Sequence, residues 1–335
     1  MNEEKITLSY GSGGRLTHKL IKDIFIRHLD NSILSQMNDS ATFELNGRIA
    51  FTTDSYVVNP IFFSGGDIGR LAVNGTVNDI AMMGAEPLYI SLGVIIEEGL
   101  LLEELERVVI SIKDAAEEAG VKVVTGDTKV VEKGKADKLF INTSGVGVIP
   151  KGIDIRGDNA SPGDLIIVSG TIGDHGIAIL SERGALGFSA SLESDTSPLN
   201  RLVASMIDTV SDIHVLRDPT RGGLAETLNE IAQASNAGIE IYESEIPVKG
   251  AVKNACDLLG LDPLYIANEG KLIAIAPEER VSLLLDIMHS SQYGKDAKVI
   301  GKVTGSHPGI VALITKLGAK RILDMPSGEL LPRIC

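Results

Sequence analysis

Five aspartates stand where the hydrophobic pattern breaks. They are Asp39 in MNDSA, Asp54 in FTTDS, Asp79 in VNDIAMMGA, Asp127 in TGDTK and Asp218 in RDPTRGG. An Asp that follows an apolar strand sits where the backbone ends and ligands bind. Mg²⁺ takes carboxylates together with water and phosphate oxygens, so dispersed aspartates converging on one place would suit Mg-ATP. Taken singly, each reads more readily as a helix cap or turn residue, because Asp is favoured there. Three glycine-rich stretches, GSGG at 11–14, SGGD at 64–67 and RGG at 221–223, could wrap phosphates with backbone N–H groups or serve as turns. None forms a Walker A loop, which needs G-x-x-x-x-G-K-[ST]. Asn74 and Asn78 are four apart and share one helical face, where they either meet nucleotide or cap turns. The second thiol chemistry available is at the end of the sequence, where Cys335 closes PRIC; Cys256, in AVKNACDLLG, reads as a small buried residue on a helix.

The elements that must carry these residues follow from periodicity. Residues 11 to about 38 open with glycines and continue as an amphipathic helix. A strand over 48–54 ends at Asp54. A helix spans about 66–83, stopped by Gly84 and Pro87. A strand at 89–96, a helix at 102–119 with Gly120 as C-cap, and strands at 121–126 and 138–149 complete an α+β half. The Gly, Pro and Asp-rich stretch 151–164 is the expected boundary. Beyond it, helices are expected at 174–185, 198–210, 222–236 and 278–291. Strands are expected after 164 and near 238–242, 270–276, 297–304 and 309–316. The division is therefore 1–38 glycine loop and helix, 39–150 first domain, 151–325 second domain, and 326–335 an extended, mobile tail with prolines at 326 and 332.

Composition excludes several classes. The 335 residues carry a net charge of −14 and 44% hydrophobic residues, so a soluble globular chain is expected and binding to phosphate backbones is not. No apolar run approaches the ~20 residues of a membrane helix, and the N-terminus lacks a signal peptide's apolar core. A cytoplasmic location and free thiols are expected.

Taken together, YGSGGR, NDSA, TTDS, VNGTVNDIAMMGAEP, TGDTKVV, GDHGIA, RDPTRGGLA, ANEG and the terminal PRIC resemble the HypE family of hydrogenase maturation factors from about residue 9 onward. The wider group holds aminoimidazole ribonucleotide synthetase, selenophosphate synthetase and thiamine-monophosphate kinase. The resemblance implies an α+β fold of two α/β domains, with the N-terminal domains of two chains pairing into a dimeric β-barrel beside the ATP cleft. It implies that the carbamoyltransferase HypF carbamoylates Cys335. ATP-dependent dehydration would then give a thiocyanate, whose cyano group passes to iron on a HypC–HypD complex for nickel–iron hydrogenase.

The same resemblance implies roles. Asp39, Asp54, Asp79 and Asp218 would hold Mg²⁺. Gly11, Gly13 and Gly14, with Arg15, would close over the triphosphate, and Asn74, Asn78 and Asp127 would help bind ATP. Glu269 would take an N–H proton, and Lys129 would offset charge on the transferred phosphoryl group; a structural ion pair between these two is the plainer alternative. His175 would meet the tail or a phosphate, or only support a helix start. Two rivals remain. One is a synthetase like selenophosphate synthetase, whose glycine loop carries a reactive Cys or selenocysteine that YGSGGR lacks. The other is a non-catalytic thiol carrier.

Overall fold

The computed structural model describes residues 5–11, 14–38, 40–184, 192–326, 328, 331 and 333–335. The first half is built on β1 (Arg48–Tyr56), α1 (Ile68–Met82), β2 (Glu86–Glu97), α2 (Leu102–Ala119), β3 (Lys122–Val131) and β4 (Leu139–Ile149). The sheet order is β1-β4-β2-β3. β1 pairs antiparallel with β4, β4 antiparallel with β2, and β2 parallel with β3 through the crossover helix α2. Alternation decides the faces. In β1, Ala50 and Tyr56 are buried toward the helices while Ile49 and Phe51 point out, Phe51 with 73% of its surface exposed.

α2 shows why its sequence is helical. Leu105, Val108, Val109, Ile112, Ala116 and Ala119 recur at three and four residue spacings and form one buried stripe. Gly120 ends it at φ 79°. α1 instead is apolar or small nearly all round and is buried nearly throughout. Asp67 caps it, accepting from Gly69 N at 2.7 Å and Arg70 N at 3.0 Å. Its Ile80, Ala81 and Met82 join a core cluster with Leu199, Leu202, Leu216 and Ala274 of the second half, so α1 serves both halves. Glycine at 75 is required: a Cβ there would stand 2.1 Å from the Tyr56 hydroxyl of β1.

The second half contains β5 (Leu165–Val168), α3 (Asp174–Glu182), α4 (Asn200–Thr209), β6 (Val215–Arg217), α5 (Gly223–Ala234), β7 (Gly238–Tyr242), α6 (Gly250–Leu259), β8 (Ile273–Ala276), α7 (Glu278–Ser290), β9 (Lys298–Thr304), β10 (Val311–Ile314) and β11 (Lys320–Ile322). Its sheet runs β11-β10-β7-β9-β5-β8-β6, and only β10 and β7 are parallel neighbours among the described strands. Cys256 is buried in α6, as the sequence suggests.

Three expectations change. The N-terminal helix stops at Leu29 and passes through a π-helical turn, Ile21–Ile26, before a short turn of 3-10 helix at Leu34–Gln36. β3 continues past Gly126 to Val131, so Asp127 and Lys129 lie within a strand and not at its end; Asp54 likewise lies inside β1. The end of the tail is docked. Val57 N donates to Cys335 O at 3.1 Å, and Ile334 is 3% exposed in the first half's core cluster.

Asn78 shows how tightly the halves are tied. Its amide donates to Ser197 O at 3.0 Å and Glu269 O at 3.5 Å, and its Oδ1 accepts from Leu199 N at 2.8 Å. Asn78→Ala strands buried partners on the second half and should lower unfolding stability by about 2–4 kcal/mol, measured by denaturant titration.

Candidate active site

The alternation of β1 turns Thr52 and Asp54 toward α1, and helical periodicity brings Asp79 to meet them. Thr52 Oγ1 donates to Asp79 Oδ2 at 2.8 Å. α1 also lies against β6, and Asp218 follows that strand directly. Glu269 stands just ahead of β8, the neighbour of β6, and is 4% exposed. Its backbone N–H donates to Asp195 Oδ1 at 3.0 Å, while its own Oε1 has no hydrogen-bond partner.

These carboxylates act on one another. Burial, then the Asp79 charge, pushes Asp218 up to about 7. Burial raises Asp79, with Asp54 adding to it and the Thr52 bond opposing. Burial followed by Asp218, Asp195, Asp54 and Asp79 holds Glu269 well above the usual carboxylate range. Asp195 behaves oppositely: burial works against its charge, yet Lys271 at 3.2 Å keeps it below the usual range. A raised folded-state value means that the folded chain holds protons that the unfolded chain has released, so stability falls as pH rises through that window. For Asp218 the window runs from the ordinary aspartate value to about 7. Asp218→Asn should therefore stabilise the metal-free chain at about pH 8 by on the order of a few kcal/mol relative to about pH 5. Paired thermal melts of variant and parent at the two pH values read this difference.

The docked tail enters the same place. Burial, then the Glu269 charge, pushes the half-buried Cys335 thiol up to about 12, while Arg221 works in the other direction. A cleft of about 610 Å³ opens beside it, lined by Arg217, Asp218, Arg221, Tyr265, Pro326 and Ile334 among others. His175, at the start of α3, is fully buried and takes the Ile334 carbonyl at 2.9 Å; of the readings open in the sequence, its contact is with the tail.

A second group of expected residues stands elsewhere. By register, Asp127 and Lys129 fall beside Gly93 and Ile95 on the outward face of the sheet, at the edge opposite β1. Three strand spacings, about 14 Å, separate the two edges. Lys129 Nζ bonds Asp127 Oδ1 at 2.6 Å and makes no pair with Glu269. Both line a cavity of about 340 Å³ under the N-terminal helical segment, with Gly11, Phe25, Leu29 and Val123. Gly11 comes so close to β3 that a Cβ would lie 2.6 Å from Val130 N. Gly14 begins the helical segment, and Gly13 and Asp39 lie outside the described residues. Asn74 and Asn78 face the seam between the halves: both are buried, and Asn74 donates to Thr196 Oγ1 at 3.4 Å. Arg333, Arg183, Asp137 and Asp195 were not singled out by sequence. Of these, only Arg333 carried a signal, from its place in PRIC.

No three His, Cys, Asp or Glu side chains among the described residues stand as a ready metal cage. The carboxylates still suit Mg²⁺, which uses one or two of them and takes its other oxygens from phosphate and water. Glu269, with an unpartnered Oε1, and the charge-crowded Asp218 fit a place where positive charge arrives with a ligand.

Residues 37–149 match the family described as AIR synthase related protein, N-terminal domain, and residues 161–314 its C-terminal domain. Carbamoyl dehydratase HypE of Azotobacter vinelandii is 54% identical over 98% of this chain and 97% of its own. The chain belongs to the HypE family. A solved HypE in complex with ATP superposes with a TM-score of 0.95 at 54% identity, covering 98% of this chain and 99% of that one. HypE in a HypE–HypF complex gives 0.81 at 50% identity, over 92% and 99%. The two-domain mixed α/β architecture is thus that of HypE, and no helix among the described residues is long and apolar enough to cross a membrane.

Proposed function

We propose that this chain is an ATP-dependent carbamoyl dehydratase acting on Cys335 in hydrogenase maturation. The observation that carries the reading is the unpartnered carboxylate of Glu269 beside the docked Cys335 thiol. An S-carbamoyl group in that place brings two N–H protons and a carbonyl oxygen. ATP supplies the phosphoryl group that turns the oxygen into a leaving group. The oxygen departs on phosphate, the C–O bond breaks, two N–H protons are lost, and the carbon–nitrogen triple bond of the thiocyanate remains. Glu269 accepts one of these protons. Its burial among acids makes it an avid acceptor, and positive charge entering with nucleotide lets it start ionised.

Asp54, Asp79 and Asp218 would hold Mg²⁺ against the phosphates, with Asp39 as a fourth expected ligand. Lys129, Asp127 and the Gly11–Gly14 loop belong to nucleotide binding and to charge on the transferred phosphoryl group. Within one chain Lys129 and Asp127 are across the sheet from Glu269. We place them in the active site through a homodimer in which the outward faces pair as a barrel, so that a second copy's Lys129 approaches the cleft. Exposed Ile49, Phe51 and Ile95 on that face support the pairing. Residues 39–150 and 151–325 would be the two domains. HypF is the proposed carbamoyl donor and a HypC–HypD complex the acceptor, in the cytoplasm. A docked thiol that stays protonated is a poor nucleophile, which fits loading of the carbamoyl group with the tail undocked.

The test is the intact mass of the chain after carbamoylation and then Mg-ATP. Loss of one water with one phosphate released per chain is expected. A carbamoyl group that survives ATP turnover would overturn the reading.

A further inference from the structure

The groove that holds residues 333–335 grips them chiefly by their main chain. Val57 N donates to Cys335 O at 3.1 Å, and Asn59 N to Arg333 O at 3.4 Å. Arg183 Nη2 donates to Arg333 O at 2.5 Å while its Nε holds Asn59 O at 2.6 Å. His175 supplies the bond to Ile334 O at 2.9 Å. Because a carbonyl only accepts, His175 carries its proton on Nε2, and Nδ1 accepts from the Ser194 hydroxyl at 2.8 Å. Ser194 Oγ in turn accepts from Thr196 N at 3.1 Å, which leaves its proton for the ring. Burial favours the neutral ring that this arrangement requires.

Each of the three carbonyls therefore meets a donor from the body. Two side chains add selectivity. Arg333 donates to Asp137 at 2.7 Å and to Val57 O at 3.0 Å, and its guanidinium lies 5.7 Å from the Phe140 ring centre. Ile334 is buried in the core cluster, with Leu331 packed against it. None of these contacts uses the covalent connection to residue 326.

We propose that this groove is a peptide receptor separable from its own tail: it accepts a free peptide ending in Arg-Ile-Cys whose thiol carries a carbamoyl group, and dehydrates it in trans. This rests on the dehydration reading above. The reaction balances as before, with the peptide's carbamoyl oxygen leaving on phosphate from ATP and its two N–H protons lost. Tethering gives the native tail an effective concentration of order mM, so a free peptide needs about that range to compete.

The experiment uses the full chain with Cys335→Ala and Arg333→Glu, in which like charge with Asp137 vacates the groove. A synthetic S-carbamoyl Leu-Pro-Arg-Ile-Cys peptide is added with Mg-ATP, and phosphate release and peptide mass are followed. Saturable loss of one water per phosphate is expected, with at least about tenfold weaker response from a peptide carrying Glu in place of Arg, because a charge-assisted bond is lost. The Cys335→Ala single variant, whose groove side chains are all native, runs in parallel against a misfolded double variant. If the parent chain dehydrates its own carbamoylated tail but neither variant acts on the peptide at mM levels, the receptor proposal is overturned. Equal response to the Glu peptide overturns it too. If the parent fails on its own tail, the dehydration reading falls and this proposal with it.

Discussion

Cys335→Ala removes cyano-group formation completely while leaving the fold and ATP binding in place. The sulfur is the only atom that can carry the carbamoyl group at that end, and the other cysteine, Cys256, is buried in α6 within a different cluster. Cys256 is only 1% exposed, out of reach of a carbamoyl donor, so it is no substitute acceptor. The structural loss is small. Cys335 is half-buried at the rim of the core, and the main-chain bond from Val57 survives the change. A cost within about 1 kcal/mol is expected for one sulfur at such a place. Intact mass after incubation with the carbamoyl donor reads the chemistry, and a nucleotide titration with a thermal melt reads the rest. Carbamoylation or cyanation of the alanine variant would remove Cys335 from the mechanism.

Glu269→Gln slows dehydration of the carbamoylated tail by about 10²–10⁴-fold, the range for loss of a positioned general base. Gln keeps the shape and the backbone bond to Asp195, but it cannot take a proton. Gln matches the protonated form that burial among acids gives Glu269 in the empty cleft, so Mg-ATP should bind about as tightly as before. A drop in single-turnover phosphate release with undiminished ATP affinity distinguishes a base from a mere structural carboxylate. Parent-like release by the Gln variant would exclude Glu269 as the proton acceptor.

Much of this was legible because local rules agree. The stripe of α2 and its Gly120 stop mark that helix from end to end, and Gly84 with Pro87 bound α1. β6 escapes because Val215–Arg217 is too short to alternate, although Asp218 depends on it for its position. The π turn at Ile21–Ile26 preserves an apolar face while breaking the helical period, so nothing in the residue pattern announces it. Motifs grouped Asp79, Asp218 and Glu269 without any information about distance. They grouped Lys129 with Glu269 on the same basis, and there the single chain disagrees: strand parity sends Lys129 outward and sheet order sends it to the far edge. The strand end was misread because Gly126 resembles a stop, whereas β3 continues through it. The tail misled in a different way. Prolines and a glycine do disfavour helix there, but the bonds that fasten residues 333–335 come from donors such as Val57, Arg183 and His175, distant in sequence and invisible to a local rule.

The clasp between Arg333 and Val57 joins residues 276 positions apart. It also covers an amide that β1 itself leaves behind, since that strand ends at Tyr56 and the Val57 N–H is spent on Cys335. Exchange of that single amide with deuterated solvent is consequently gated by departure of the tail, and not by unfolding of the sheet. Its protection factor is the equilibrium between thiol stowed and thiol offered, written by the molecule in the clock of its own backbone.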